Sequence, residues 1–169
     1  AKLKAVTSRL LPAVGGGNYE FRFHILKDTN VNAFALPGGN VMVLSGLLNA
    51  ADRPEEIAGV LAHEIAHVTE RHGFRKVIDT AGLALFIQTL FGDASGLLTV
   101  LANSSEFLLQ QKHSRDFERE ADDKGWQYLI AAKIDPRGMT DFFRDLQALE
   151  KRGLAIPGLL STHPTTEER

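Results

Sequence analysis

The 169-residue chain contains no cysteine, and this absence removes several kinds of functional site. Thiolate metal ligands, disulfide bonds and a cysteine nucleophile are all excluded. An excess of positive charge is also lacking, because 19 lysines and arginines oppose 21 aspartates and glutamates, for a formal net charge of -2. Nothing in this composition points to nucleic acid as a partner.

Long apolar runs are lacking as well. The most apolar part of the chain, residues 77–109, is interrupted at 92–96, and neither half reaches the about 18 unbroken residues of a membrane span. We favour a helical hairpin packed in the core; the alternative is a hairpin that makes a peripheral contact with a membrane or a partner. The length fits one domain over residues 1–169. Because the chain starts at Ala1 rather than Met, we expect a piece of a longer protein.

One stretch has the spacing of metal ligands. His63, Glu64 and His67 form the pattern H-E-x-x-H. In a helix, residues i and i+4 lie on one face, so both imidazoles can reach a single ion. Two imidazoles suit zinc, and the neighbouring carboxylate can accept a proton from a water at the metal. The competing interpretation is a buried helix whose histidines are hydrogen-bonded to neighbours.

The surroundings of this motif favour a helix. Asp52 is a plausible N-cap, Pro54 suits the first turn, and Gly73 is typical of a C-terminus. Apolar residues recur at helical spacing within the stretch, so that the helix would pack into a core.

The third metal ligand has to come from another element. A third histidine in H-E-x-x-H-x-x-G-x-x-H is excluded, since Glu70 and Gly73 occupy the required positions. His72 lies five residues past His67, about 140° further around a continuous helix, which predicts a place away from the site.

The best candidate for the third ligand is Glu118. Glu118 and Asp122 are at i and i+4 of a predicted helix, so one carboxylate can bind the metal while Asp122 accepts the outer N–H of a ligand histidine. The alternative is a solvated acidic face paired with Arg115 and Arg119, an interpretation that suits Glu120. Spacing alone leaves both open.

The order of predicted elements gives an α+β, mainly helical fold. A helix near the N-terminus precedes a strand at 20–26 and a β-hairpin at 31–44, so we expect a small antiparallel sheet ahead of the metal-binding helix. Two further helices follow, over 116–132 and from Pro136 to about Lys151. The apolar residues assigned to the inner face of the first are Phe117, Ala121, Trp126, Leu129 and Ile130.

Four local matches resemble the gluzincin peptidase family of the CAAX prenyl endopeptidases and HtpX-type proteases, most closely its soluble periplasmic BepA-like members. The matching segments are Asn32-Ala33-Phe34-Ala35 with Pro37-Gly38-Gly39, His63 to His67 with Arg71-His72-Gly73, Glu118 to Asp122, and Thr162-His163-Pro164 with Arg169. The resemblance implies a zincin-like domain with one Zn²⁺, bound at His63, His67 and Glu118, and with Glu64 as general base.

The same resemblance implies further features. Asn32, Ala33, Phe34 and Ala35 would border the substrate cleft, and His163 would occupy the fourth zinc position in a resting enzyme. A C-terminal repeat domain would be missing from this chain, and the location would be the periplasm or cell envelope. The expected function is cleavage of polypeptides, in particular misfolded or envelope proteins.

Two questions stay open at this level. His113, Arg115 and His163 are all candidates to stabilise the oxyanion. The rival function is a zinc-bound quality-control or chaperone-like binding module whose peptidase activity is latent or absent.

Overall fold

The computed structural model describes residues 2–15, 19–78, 81–82, 115–151 and 163. The elements are α1 (Lys2–Val14), β1 (Arg22–Leu26), β2 (Ala33–Leu36), β3 (Asn40–Leu44), α2 (Ser45–Ala50), α3 (Pro54–Thr69), α4 (Arg115–Ala131) and α5 (Arg137–Lys151). Residues 72–78 are also helical. The predicted α+β, mainly helical class is confirmed. Most of the predicted apolar hairpin at 77–109 and His113 lie outside the described residues. No described helix is long and apolar enough to cross a membrane.

The sheet is mixed, which corrects the predicted antiparallel sheet. Its strand order is β1-β3-β2, with β2 antiparallel and β1 parallel to β3. The hairpin itself is as predicted, and Gly38 and Gly39 both adopt a φ of 87° at its turn. Strand β3 lies between β1 and β2 and runs in the direction of β1. Strand β2 is therefore an edge of the described sheet.

Helix α3 is the centre of the molecule. Every residue from Glu56 to Val68 is buried, because α1, α4, α5 and strand β2 all pack against this helix. Two glycines allow this close packing. A Cβ on Gly59 would lie 2.5 Å from the Met139 Cβ of α5, and one on Gly125 of α4 would lie 3.1 Å from the His63 nitrogen.

Both ends of α3 differ from the prediction. The N-cap is Arg53 rather than Asp52, and the side chain of Glu56 reaches back to accept the Asp52 N–H at 2.9 Å. At the other end the helix stops at Thr69, before the expected Gly73, and Arg71 takes a φ of 55°. This early reversal changes where the following residue, His72, lies.

The inner face of α4 is partly different from the predicted one. Ala121 and Leu129 are fully buried, whereas Trp126 is 43% exposed and Ile130 57% exposed. The reason is that Glu118 is drawn inward, and the residues in line with it on a helix are 121, 125 and 129. Trp126 and Ile130 fall on the other side.

Candidate metal centre and catalytic base

Two histidines of α3 converge across one helical turn. The Nε2 atoms of His63 and His67 are 3.0 Å apart, and both side chains are almost fully buried. Their rings meet edge to face at 78°, so the nitrogens point at a shared position instead of stacking. Helical spacing alone produces this convergence.

Helix α4 brings a carboxylate to the same position. Glu118 is fully buried, with Oε2 3.4 Å from His63 Nε2 and Oε1 3.4 Å from His67 Nε2. The small residues Ala121 and Gly125 let α4 approach α3 closely enough for this contact. Burial would raise the pKa of Glu118, but its contacts with His163, His63 and His67 outweigh burial and lower the pKa far below the usual range.

A fourth group comes from a distant part of the chain. His163 is buried, and its Nδ1 lies 2.8 Å from Glu118 Oε2 and 3.3 Å from His63 Nε2. The other ring nitrogen, Nε2, lies 3.2 Å from Glu64 Oε1. One imidazole thus contacts Glu118 and His63 on one side and the glutamate of the motif on the other.

The four side chains fit a tetrahedral metal ion. Each offers one ligand atom, and these atoms all lie within 4.8 Å of one another. Bonds of about 2.0–2.1 Å in a tetrahedral zinc site place the ligand atoms about 3.3–3.4 Å apart. Five of the contacts within the cluster, counted over both Glu118 oxygens, measure between 2.8 Å and 3.4 Å. Three imidazoles and one carboxylate are a donor set that zinc accepts.

Glu64 lies beside the cluster with each oxygen engaged differently. Its Oε2 accepts the backbone N–H of Ala35 in β2 at 3.0 Å, and its Oε1 faces His163. Burial by itself would raise the pKa of this carboxyl, but the contact with His163 and the nearby imidazoles lower the pKa to about 2. Glu64 is therefore a carboxylate at neutral pH.

The histidines differ in protonation. Burial lowers the pKa of His67 to about 4, so this imidazole is neutral. Burial opposes a charge on His163 too, but Glu118 and Glu64 outweigh it and raise its pKa to about 9. In the metal-free chain His163 is thus an imidazolium at neutral pH. A metal bound through His163 has to displace this proton.

The outer nitrogen of His63 is held by α4. His63 Nδ1 donates to Asp122 Oδ1 at 2.8 Å. Such a carboxylate partner fixes the tautomer, and it leaves the Nε2 lone pair directed at the cluster. This is the position in which the sequence predicted Asp122 to act.

The outer nitrogen of His67 has a partner that sequence reasoning missed. His72 Nδ1 lies 2.8 Å from His67 Nδ1, and His72 is fully buried. The prediction that His72 points away from the site is wrong, because it assumed that α3 continues through residue 72. Burial lowers the pKa of His72, and this effect outweighs that of Glu120, which would raise the pKa. The neutral form of the His72 ring is therefore favoured.

The predicted substrate-binding segment lies in and before β2, next to α3. Ala35 contacts Glu64 through its backbone, as described above. Ala33 is fully buried in the core, whereas Asn32 and Phe34 are partly exposed. The buried Asn32 Oδ1 has no hydrogen-bond partner within the described part of the chain.

Arg115, another candidate to stabilise the oxyanion, is exposed at the start of α4. A further histidine, His24, is exposed on β1 and bonds to Asn40 Oδ1 at 3.0 Å. Among the described oxyanion candidates, only His163 touches the cluster.

The sequence of this chain matches one peptidase family and several of its members. The model of peptidase family M48 matches residues 1–169. The mitochondrial metalloendopeptidase OMA1 of Schizosaccharomyces pombe is 31% identical over 97% of this chain, which corresponds to 49% of that protein. The putative beta-barrel assembly-enhancing protease of Vibrio cholerae is 34% identical over 95% of this chain and 35% of its own length.

A third relative has a similar identity and coverage. The beta-barrel assembly-enhancing protease of Escherichia coli K12 is 30% identical over 99% of this chain and 36% of its own. The chain therefore spans between about a third and a half of these relatives. With H-E-x-x-H on a buried helix and a glutamate from a second helix at the same point, the chain belongs to peptidase family M48, a family of metallopeptidases.

Proposed function

We propose that this chain is the catalytic domain of a zinc endopeptidase and that His163 holds it in a latent state. The single observation that carries the proposal is the buried cluster of His63, His67, Glu118 and His163 with Glu64 beside it. His63, His67 and Glu118 would hold one Zn²⁺ per chain. A bound zinc ion would be a Lewis acid that polarises a peptide carbonyl and makes a water more acidic.

Glu64 would act as the general base. Its carboxylate would take a proton from the attacking water and deliver it to the leaving amine nitrogen. The bond from the Ala35 N–H fixes one oxygen of Glu64 and leaves Oε1 for this proton transfer. The position of Oε1 against His163 supports the assignment, because both groups compete for the space that a reacting water needs.

His163 would block the reaction in two ways. Its Nδ1 would fill the fourth position at the metal, which a catalytic site keeps open for water. Its Nε2–H would donate to Glu64 Oε1, which lies 3.2 Å away, and a carboxylate oxygen that accepts this bond is less able to take a proton from water. Departure of His163 would free the position and strengthen the base together.

Strand β2 would align the substrate. Alternate residues of an antiparallel edge strand direct their backbone groups away from the neighbouring strand. The Ala35 N–H points to Glu64 and not to β3, so Ala35 is one of these residues. An extended polypeptide could pair with this edge at the Ala35 carbonyl, with Asn32 and Phe34 beside it. Ala33 would contribute through its place in the core.

The natural context would be that of a longer protein. Residues 1–169 would form one peptidase domain, and relatives that are two to three times longer support a further region outside it. We propose misfolded or envelope proteins as substrates and the periplasm or cell envelope as location. The words beta-barrel assembly in the names of two relatives support an envelope role, whereas the OMA1 relative is named as mitochondrial.

The experiment that tests this function compares the parent chain with His163→Ala. Both are loaded with zinc and incubated with unfolded casein, and internal cleavage is followed by mass spectrometry. We expect His163→Ala to cleave about 10–100-fold faster, because each charged contact it removes contributes about 1.5–3 kcal/mol. A chelator should abolish cleavage, and added zinc should restore it.

His24→Ala is the matched control, because it removes an exposed histidine of β1, which β3 separates from β2. It should behave as the parent does. If the parent and His163→Ala both bind zinc and neither cleaves casein, the endopeptidase proposal fails, and the rival function of a zinc-bound binding module is favoured.

A further inference from the structure

The chain reverses direction immediately after the metal-binding helix. Helix α3 ends at Thr69, and Arg71 takes the left-handed φ of 55° while its N–H donates to the Val68 carbonyl at 3.0 Å. A non-glycine residue adopts this conformation only where the surroundings hold it there. The result is that His72 lies beneath His67 and not on the far side of a longer helix.

His72 connects His67 to a carboxylate of α4. Its Nδ1 is 2.8 Å from His67 Nδ1, and its Nε2 is 3.0 Å from Glu120 Oε2. When His67 directs its Nε2 lone pair at a metal, its proton sits on Nδ1 and is donated to His72 Nδ1. His72 then carries its own proton on Nε2 and donates it to Glu120. All the protons along this line are accounted for.

The surroundings hold this line rigidly. The His72 ring stacks on Phe117, with centroids 4.6 Å apart and planes at 8°. Arg75 contacts both Phe117 and Glu120. Its guanidinium lies 4.6 Å from the centre of the Phe117 ring, and its Nη1 donates to Glu120 Oε2 at 2.7 Å. Arg75 and His72 thus both contact Oε2 of Glu120, and together they lower the pKa of this carboxyl.

We infer that His72 and Glu120 are positioning residues for the metal site, which orient His67 and fix its tautomer as Asp122 does for His63. Helix α4 would then supply the three carboxylates that bind or orient the metal ligands: Glu118 directly, Asp122 through one imidazole and Glu120 through two. The inference rests on the proposed function to the extent that a metal occupies the cluster.

The test measures zinc affinity by competition with a chromogenic chelator, separately from cleavage. His72→Phe keeps a flat ring against Phe117 but removes the acceptor for His67, and we expect zinc to bind about 10–100-fold more weakly. His72→Gln retains one acceptor and one donor and should recover most of that loss. Thermal unfolding of the metal-free variants checks that both remain folded.

Two variants on α4 keep the test decisive even if His72→Phe fails to fold. Glu120→Gln should weaken zinc binding in the same direction, towards the lower end of that range. Asp123→Asn likewise replaces a carboxylate by an amide, but at an exposed position of the helix, and it should leave the zinc affinity unchanged. In the zinc-loaded parent, ¹⁵N spectra of the imidazoles should show His72 protonated at Nε2 and unprotonated at Nδ1.

The outcomes separate this inference from the proposed function. Zinc binding by the parent with unchanged affinity in folded His72→Phe and in Glu120→Gln would overturn the positioning role alone. A proton on His72 Nδ1 in the zinc-loaded chain would also overturn it, because two N–H groups would then face each other. A parent chain that binds no zinc would overturn both proposals.

Discussion

Replacing Glu64 by glutamine should slow casein cleavage by about 10²–10⁴-fold, the usual contribution of a general base. The comparison is best made in the His163→Ala background, where the reaction is not masked by the contact between His163 and Glu64. A glutamine has nearly the same shape and can still accept the Ala35 N–H through its side-chain oxygen, so strand β2 should keep its place. It cannot take up a proton from water.

Zinc content separates this effect from loss of the metal. Glu64 is not one of the four grouped side chains, so Glu64→Gln should still bind one zinc per chain. Glu70→Gln provides the matched control at the C-terminal end of the same helix, where Glu70 pairs with Lys124 at 3.4 Å. Its activity should equal that of the background. Full activity in Glu64→Gln with zinc bound would rule out Glu64 as the base.

Replacing Glu118 by glutamine should remove most of the zinc affinity. The loss should exceed the about 10–100-fold that an outer partner of a ligand contributes, since a charged ligand itself is replaced by a neutral amide. Glu118 is fully buried between His63, His67 and His163, so the remaining imidazoles also lose the anion that attracts them to this point. Zinc affinity by chelator competition is the measurement.

Asp116→Asn is the control for Glu118→Gln. It removes one carboxylate from the same helix at a side chain that is 90% exposed, and zinc affinity should not change. If Glu118→Gln binds zinc as tightly as the parent, then the third ligand is a different residue, and the geometry of the cluster reflects only hydrogen bonding between histidines and a buried acid.

Much of the candidate site could be predicted because it depends on short-range rules. The spacing of His63 and His67 places both on one face of any helix, and the apolar pattern around them is that of a buried helix. The β2–β3 hairpin was likewise local, since two glycines allow its turn. Glu118 required more than spacing: the carboxylates of α4 offered several choices, and the family resemblance selected among them.

The parts that escaped prediction depend on the tertiary structure. The position of His72 follows from one residue, Arg71, in a left-handed conformation that its sequence does not favour. The parallel pairing of β1 with β3 depends on which side of the hairpin packs against β1. The alternation of polar and apolar residues along a strand does not predict this. Trp126 and Ile130 read as core residues, but the inward position of Glu118 sets the rotation of α4 and turns both outward.

The most direct test of the central claim is X-ray absorption at the zinc edge of the loaded parent chain and of His163→Ala. The parent should show three imidazole nitrogens and one carboxylate oxygen, at about 2.0–2.1 Å. His163→Ala should show two imidazoles, with a water-derived oxygen in place of the third. Two imidazoles in both spectra would contradict the claim that His163 closes the site, and an absence of bound zinc would contradict the metal centre itself.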